Sequence, residues 1–230
     1  VGDAYITGDM MRNGLRPFLG EDDSLEVFFF GDPDQSVMRD LVKIIEAGRR
    51  EDVPLPEGLC DAVADADLLI VHLCPVTRNM IESAKSLKAI MSCRGGLENI
   101  DVQAATENGI IVSNNPAHNA NAVAEFTIGL ILSETRNICR SNFALKNGQW
   151  RKVYPNTPTT IKEMTEMTVG IVGYGSIGRL VAHKLSVFGC RIIVADPFVK
   201  ECREDYVSLV TLDELLAQSD IVTLHARSNG

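Results

Sequence analysis

Residues Thr168 to Asp196 constrain this chain more than any other stretch. They begin Thr-Val-Gly-Ile-Val-Gly-Tyr-Gly-Ser-Ile-Gly and close on Cys-Arg-Ile-Ile-Val-Ala-Asp. Val169, Ile171 and Val172 make a short, β-branched run, as a buried parallel strand requires, and it leads directly into Gly173-Tyr174-Gly175-Ser176-Ile177-Gly178. Ile177, Leu180, Val181, Leu185 and Phe188 then form one apolar helical stripe that ends before Gly189. A second strand, Arg191 to Ala195, stops at Asp196. A lone G-x-G-x-x-G is weak evidence, because glycines are common in loops. Here a strand before it, a helix after it and an acid 18 residues past Gly178 complete a dinucleotide-binding fingerprint. Gly173 allows the tight turn, Gly175 lets backbone approach a pyrophosphate, and Gly178 lets helix and strand pack closely. Free N–H groups at the helix start would hold the phosphates. Asp196 would accept bonds from the ribose hydroxyls and repel a 2′-phosphate, which selects NAD over NADP; it also reads as an ordinary strand-end turn acid.

The rest of the chain fits an α/β protein. Its 230 residues, 45% of them hydrophobic, allow two modest domains with real cores. The formal charge of −9 and the lack of a Lys/Arg stripe argue against nucleic acid or an anionic membrane surface as a partner. No apolar run approaches a membrane span, and Val1-Gly2-Asp3 does not open a signal-peptide pattern, so a cytoplasmic protein is expected. Six cysteines (60, 74, 93, 139, 190 and 202) and four histidines (72, 118, 183 and 225) show no C-x-x-C pair or zinc spacing, so no metal site is expected. Most of the cysteines read as small core residues.

In chain order, residues 1–8 and 24–31 read as strands, 10–19 and 34–47 as helices, and 51–58 as a loop. Strands follow at 68–73, 87–93 and 110–113, with short helices at 81–86 and 102–108 between them. This βαβα alternation predicts an open parallel sheet, in which Phe28, Phe29 and Phe30 belong to a buried strand. Residues 120–138 predict a helix that is apolar all round, suited to burial or to a subunit interface. Residues 141–167, with Trp150 as a packing anchor and Pro155 and Pro158, are mixed. A boundary near Pro116 separates two tandem open parallel-sheet domains, 1–117 and 118–230.

A further series of motifs is more specific than the glycines. Leu87-Lys88-Ala89-Ile90, Arg94-Gly95-Gly96-Leu97-Glu98-Asn99-Ile100-Asp101, Ala104 to Ile110, Asn114-Asn115-Pro116 and Asn121 to Glu125 precede the fingerprint, and Ser219-Asp220-Ile221-Val222-Thr223-Leu224-His225 follows it. In this order, over about Leu68 to His225, they resemble the D-isomer-specific 2-hydroxyacid dehydrogenases, and most of all the phosphoglycerate dehydrogenase-like branch. The resemblance implies a flavodoxin-like substrate domain (1–117) followed by a Rossmann NAD-binding domain (118–230). It implies hydride transfer between the nicotinamide and C2 of a small 2-hydroxy or 2-keto acid. The substrate carboxylate would lie on the loop Arg94 to Leu97, where Gly95 and Gly96 permit a bare turn whose N–H groups can hold an anion. Arg94 either pairs with that carboxylate or is a solvated loop charge. The resemblance further implies that backbone groups of Ser176 and Ile177 hold the pyrophosphate and that Val123, His225 and Ala226 line the cofactor, the latter two through their backbone, and a homodimer through 120–138 is expected.

The chain also departs from the family. The family's catalytic arginine, carboxylate and histidine fall downstream of the strand that ends here at His225, so the mechanism is expected of a longer parent chain, with the NAD domain incomplete at its C-terminus. Arg227 superficially resembles the catalytic arginine, but it follows the preceding strand, in a slot where proline is usual, and reads better as a solvated loop residue. His72 stands where phosphoglycerate-specific members carry arginine, which suits a phosphate far better than neutral histidine. The substrate is therefore expected to be a small acid other than 3-phosphoglycerate, or His72 is simply a satisfied histidine at a strand end. A different class of function is an NAD(H)-sensing binding protein or corepressor of the same fold.

Overall fold

The computed structural model describes residues 1–154 and 162–226, and the chain divides into two units, Val1–His118 and Asn119–Gly230. In the first unit, helices α1 (Gly8–Leu15), α2 (Gln35–Glu46) and α3 (Leu59–Ala64) precede strand β1 (Leu68–Val71). Helix α4 (Arg78–Ser83), β2 (Ala89–Ser92), α5 (Val102–Glu107) and β3 (Ile111–Ser113) follow. The three strands pair in parallel in the order β1-β2-β3. Val71, Ile90 and Ile100 lie fully inside, packed with Met38 and Ile45 of α2 and with Met80 and Ile81 of α4.

The two strands expected at 1–8 and 24–31 are absent as such. They touch through a single parallel bridge, Gly2 to Phe29, with Phe30 N–H donating to Gly2 O at 2.8 Å. The cause is Asp3. Its buried carboxylate accepts the Tyr5 and Ile6 N–H groups at 2.9 and 3.0 Å and turns the chain out of any ladder. Thr7 then caps α1. The three phenylalanines do not share one environment either. Phe30 is fully buried and Phe29 is 46% exposed, since extended backbone sends successive side chains to opposite sides.

In the second unit, α6 (Ala120–Thr135) and α7 (Ile138–Lys146) come first, separated by Asn137, whose left-handed backbone (φ 54°) ends the expected 120–138 helix early. Then follow β4 (Thr168–Val172), α8 (Ser176–Ser186), β5 (Arg191–Ala195), β6 (Val207–Leu209), α9 (Leu212–Gln218) and β7 (Ile221–Leu224). The sheet is parallel throughout, in the order β6-β5-β4-β7. Chain order reverses at β4, which has β5 on one side and β7 on the other. α6 and α8 cover one face, where Val181 and Leu185 of α8 pack with Val169 and Ile171 of β4, while Leu215 of α9 packs against Ile193 and Ala195.

Trp150 is 79% exposed and belongs to none of the cores formed by the described residues, so the expected packing anchor is not seen among them. Among the cysteines only Cys74 and Cys190 are core residues; Cys60 and Cys139 are exposed and the other two intermediate, because the helices that carry Cys60 and Cys139 turn those positions outward. Among the described residues, no helix is long and apolar enough to cross a membrane.

Candidate functional site

The reversal of strand order at β4 opens a crevice beyond the carboxyl ends of β4 and β7, the usual ligand position in an open α/β sheet. The fingerprint lies there. Gly173 leaves β4 with φ +92°, a conformation L side chains rarely adopt, and a Cβ at this position would stand 2.6 Å from Ala226 N and 2.7 Å from His225 C. The loop is thus pressed on the backbone that leaves β7, and His225 N–H donates to Val172 O at 2.7 Å. At Gly178 a Cβ would meet Gly173 O at 2.1 Å, so α8 can start against β4 only without a side chain here. At Gly175 an added Cβ would meet nothing within 4 Å. Gly175 is the N-cap of α8 and provides no side-chain hydrogen bond, so the first N–H groups of the helix, those of Ser176 and Ile177, have no side-chain cap.

Asp196, at the end of β5, accepts the Tyr174 N–H at 2.7 Å through one carboxylate oxygen and the Phe198 N–H at 2.8 Å through the other. It is both a turn acid and a brace of the fingerprint loop. A carboxylate has about four acceptor directions, so two contacts leave capacity for a hydroxyl donor. The His225 ring is half-buried, pairs through Nε2 with Thr223 Oγ1 at 3.0 Å, and is held below the usual histidine range by burial. Its backbone faces the loop. Val123 sits in the first turns of α6, the helix that packs along α8, and its carbonyl accepts the Thr127 hydroxyl at 2.8 Å. Arg227 lies outside the described residues.

Three residues absent from the expectations support the loop from below. Tyr174 is buried, its hydroxyl pushed well above the usual tyrosine range by burial and then by the charge of Glu204. The Arg179 guanidinium lies 4.4 Å from the centre of its ring and 3.1 Å from Glu204. Glu204 comes from the β5–β6 connection, 25 residues away, and no local pattern announces it.

In the first unit, His72 and the Arg94–Leu97 turn leave adjacent strands, joined by Cys93 N–H to Val71 O at 2.8 Å. His72 is a satisfied histidine: its Nδ1 lies 2.8 Å from Asp3 Oδ2 and its side chain is only 14% exposed. Burial opposes the charge on Asp3, but the bonds from His72, Ile6 and Tyr5, with the attraction of His72, outweigh it and hold the carboxyl below its ordinary range. Arg94 is not a solvated charge, since its side chain is 15% exposed and paired with Glu46 and Glu98. The turn's carbonyls are committed, Arg94 O to Asn115 N–H and Gly95 O to Asn114 Nδ2. The N–H groups of Gly95 and Gly96 find no acceptor among the described residues.

Residues 128–230 match the family described as D-isomer specific 2-hydroxyacid dehydrogenase, NAD binding domain. These residues carry the NAD-binding domain of the D-isomer specific 2-hydroxyacid dehydrogenase family. The chain is 40% identical over 194 residues to a D-3-phosphoglycerate dehydrogenase of Methanocaldococcus jannaschii, covering 81% of this chain and 36% of that protein. It is also 40% identical over 170 residues to a hydroxypyruvate reductase of Thermotoga maritima, covering 74% and 54%. A solved D-2-hydroxyisocaproate dehydrogenase shares the fold with a TM-score of 0.66 at 26% identity, over 82% of this chain and 60% of that one. The chain therefore spans between about a third and just over half of the curated relatives it matches.

Proposed function

We propose that the protein is an NAD-dependent oxidoreductase that moves a hydride between the nicotinamide and C2 of a small D-2-hydroxy or 2-keto acid, with residues 1–117 serving the substrate and 118–230 the cofactor. The observation that carries this reading is the uncapped start of α8 beside the clear volume at Gly175, with Asp196 at the end of the neighbouring strand. The residues fit a dinucleotide. Ser176 and Ile177 N–H groups hold the pyrophosphate at the positive end of the helix dipole. Asp196 takes the ribose hydroxyls and repels a 2′-phosphate, and the backbone of His225 and Ala226, with Val123, borders the adenosine side. When bound, NAD supplies or accepts the hydride. The Gly95 and Gly96 N–H groups hold the substrate carboxylate and orient C2. None of the described residues is given the proton-transfer role.

Two observations favour a singly charged acid over 3-phosphoglycerate: His72 is tied to the buried Asp3, and Arg94 to Glu46 and Glu98, so neither offers a free cation to a phosphate. We also read the protein as a homodimer, because Phe126 and Leu130 of α6 are 68% and 54% exposed and continue into exposed Ile138 and Phe143 of α7. A cytoplasmic location fits six free thiols, among them Cys74, whose burial pushes it up to about 12.

The test is NADH consumption by the full-length protein with glyoxylate, pyruvate and hydroxypyruvate. Turnover of at least one of them, faster than that of the keto acid made from 3-phosphoglycerate, is expected. NADH binding without any turnover would replace this reading with a cofactor-sensing protein.

A further inference from the structure

We infer that Arg94 is a positioning residue that braces the Gly95–Gly96 turn and does not itself bind the substrate; this rests on the reading of that turn as the carboxylate site. An arginine beside a bare glycine turn invites assignment as the substrate's counter-ion, but its surroundings assign it elsewhere. Its Nη2 stands 3.3 Å from Glu46 Oε1, at the last turn of α2, and 3.6 Å from Glu98 Oε2. Its Nη1 is sealed from solvent and has no acceptor. One guanidinium therefore faces two carboxylates, a local charge of −1 that disfavours an incoming anion, and its Nη1 is closed to solvent.

The same contacts reach the turn from below. Glu98 Oε2 lies where a Cβ on Gly96 would stand, 2.1 Å from that position, so the carboxylate packs directly on the Gly96 Cα. Guanidinium, carboxylate and Gly96 Cα make a continuous stack, anchored to α2 through Glu46. From above, Asn114 and Asn115 hold Gly95 O and Arg94 O. The brace has two consequences. It fixes the direction of the free Gly95 and Gly96 N–H groups, and it offsets part of the charge on Glu98, which would otherwise repel a carboxylate held at that turn more strongly.

The experiment compares Glu46→Gln, Arg94→Met and Arg94→Lys with the unaltered full-length protein. Two readouts are taken: hydrogen exchange at the Asn115 amide, which donates to Arg94 O, and steady-state kinetics with glyoxylate. A brace predicts that Glu46→Gln and Arg94→Met both speed Asn115 exchange, by about two- to fivefold for a partly exposed ion pair. Both also raise KM for glyoxylate with NADH affinity unchanged, the double variant is no worse than Arg94→Met, and Arg94→Lys recovers part of the loss. Unchanged Asn115 exchange in Glu46→Gln overturns the inference, as does a lower KM, because removing a competitor would free the guanidinium to bind substrate. Glu46 is half-exposed, so its variant keeps the test alive if Arg94→Met fails to fold. If the unaltered protein turns over no keto acid, the dehydrogenase reading fails on its own, while Asn115 exchange still decides whether Arg94 is a brace.

Discussion

The fingerprint glycines permit a separation of fold from binding. A Cβ at Gly178 would lie 2.1 Å from Gly173 O and 3.1 Å from Gly173 C, against backbone that cannot swing away. Ordinary contact is about 3.5 Å or more, so Gly178→Ala must push the first turn of α8 off β4 by over an ångström. Overpacking of this kind costs about 1–3 kcal/mol of stability. At Gly175 the added methyl meets nothing within 4 Å and the backbone is extended, so Gly175→Ala leaves stability within about 0.5 kcal/mol of the parent. The methyl does occupy the volume assigned to the pyrophosphate. If the same 1–3 kcal/mol falls on the complex alone, NADH affinity drops about fivefold to 150-fold. Urea melts and NADH fluorescence titrations check both halves. Gly175→Ala that binds NADH as tightly as the parent would refute the placement of the phosphates. A Gly178→Ala protein of unaltered stability would refute the packing argument.

Other consequences follow from the same contacts. Asp3→Asn leaves a donor-rich amide facing Leu73 N–H and His72, and should cost about 2–4 kcal/mol in a denaturant melt. Because the Asp3 carboxyl is held below its ordinary range, its contribution is present above that range and is lost as pH falls through the lowered value. The parent should therefore lose stability below about pH 4 more steeply than Asp3→Asn, and equal slopes would contradict the assignment. Replacing Phe126 and Leu130 by glutamate should convert a dimer to a monomer in sedimentation at micromolar concentration, with NADH binding retained; a parent protein that sediments as a monomer would remove the dimer from the account.

What could be read directly was the segment where local pattern and tertiary role coincide. In β4, α8 and β5 the apolar run, the helical stripe and the glycines all serve the same packing, so the strand–turn–helix–strand unit was legible. The N-terminal strands were not, because one side chain, Asp3, claims the N–H groups that a ladder would need. Helix α7 was obscured for another reason: it buries only Ala144 and exposes Phe143 and Leu145, so it presents no stripe toward its own core. Helix α9 carried a readable signal in Thr211 and Glu214, whose reciprocal bonds form a capping box. The bare turn at Gly95-Gly96 was legible. The company kept by Arg94 was not, since Glu46 lies 48 residues away and no sequence pattern joins them.

The central claim, that the crevice beside β4 is a site for NAD and not NADP, is tested most directly by titrating the full-length protein with NADH and NADPH, alongside Asp196→Ala. Like charges at close range cost several kcal/mol, so NADH should bind at least about tenfold more tightly than NADPH, and Asp196→Ala should narrow the gap. Equal affinity for the two cofactors in the parent protein, or no binding of either, would contradict it.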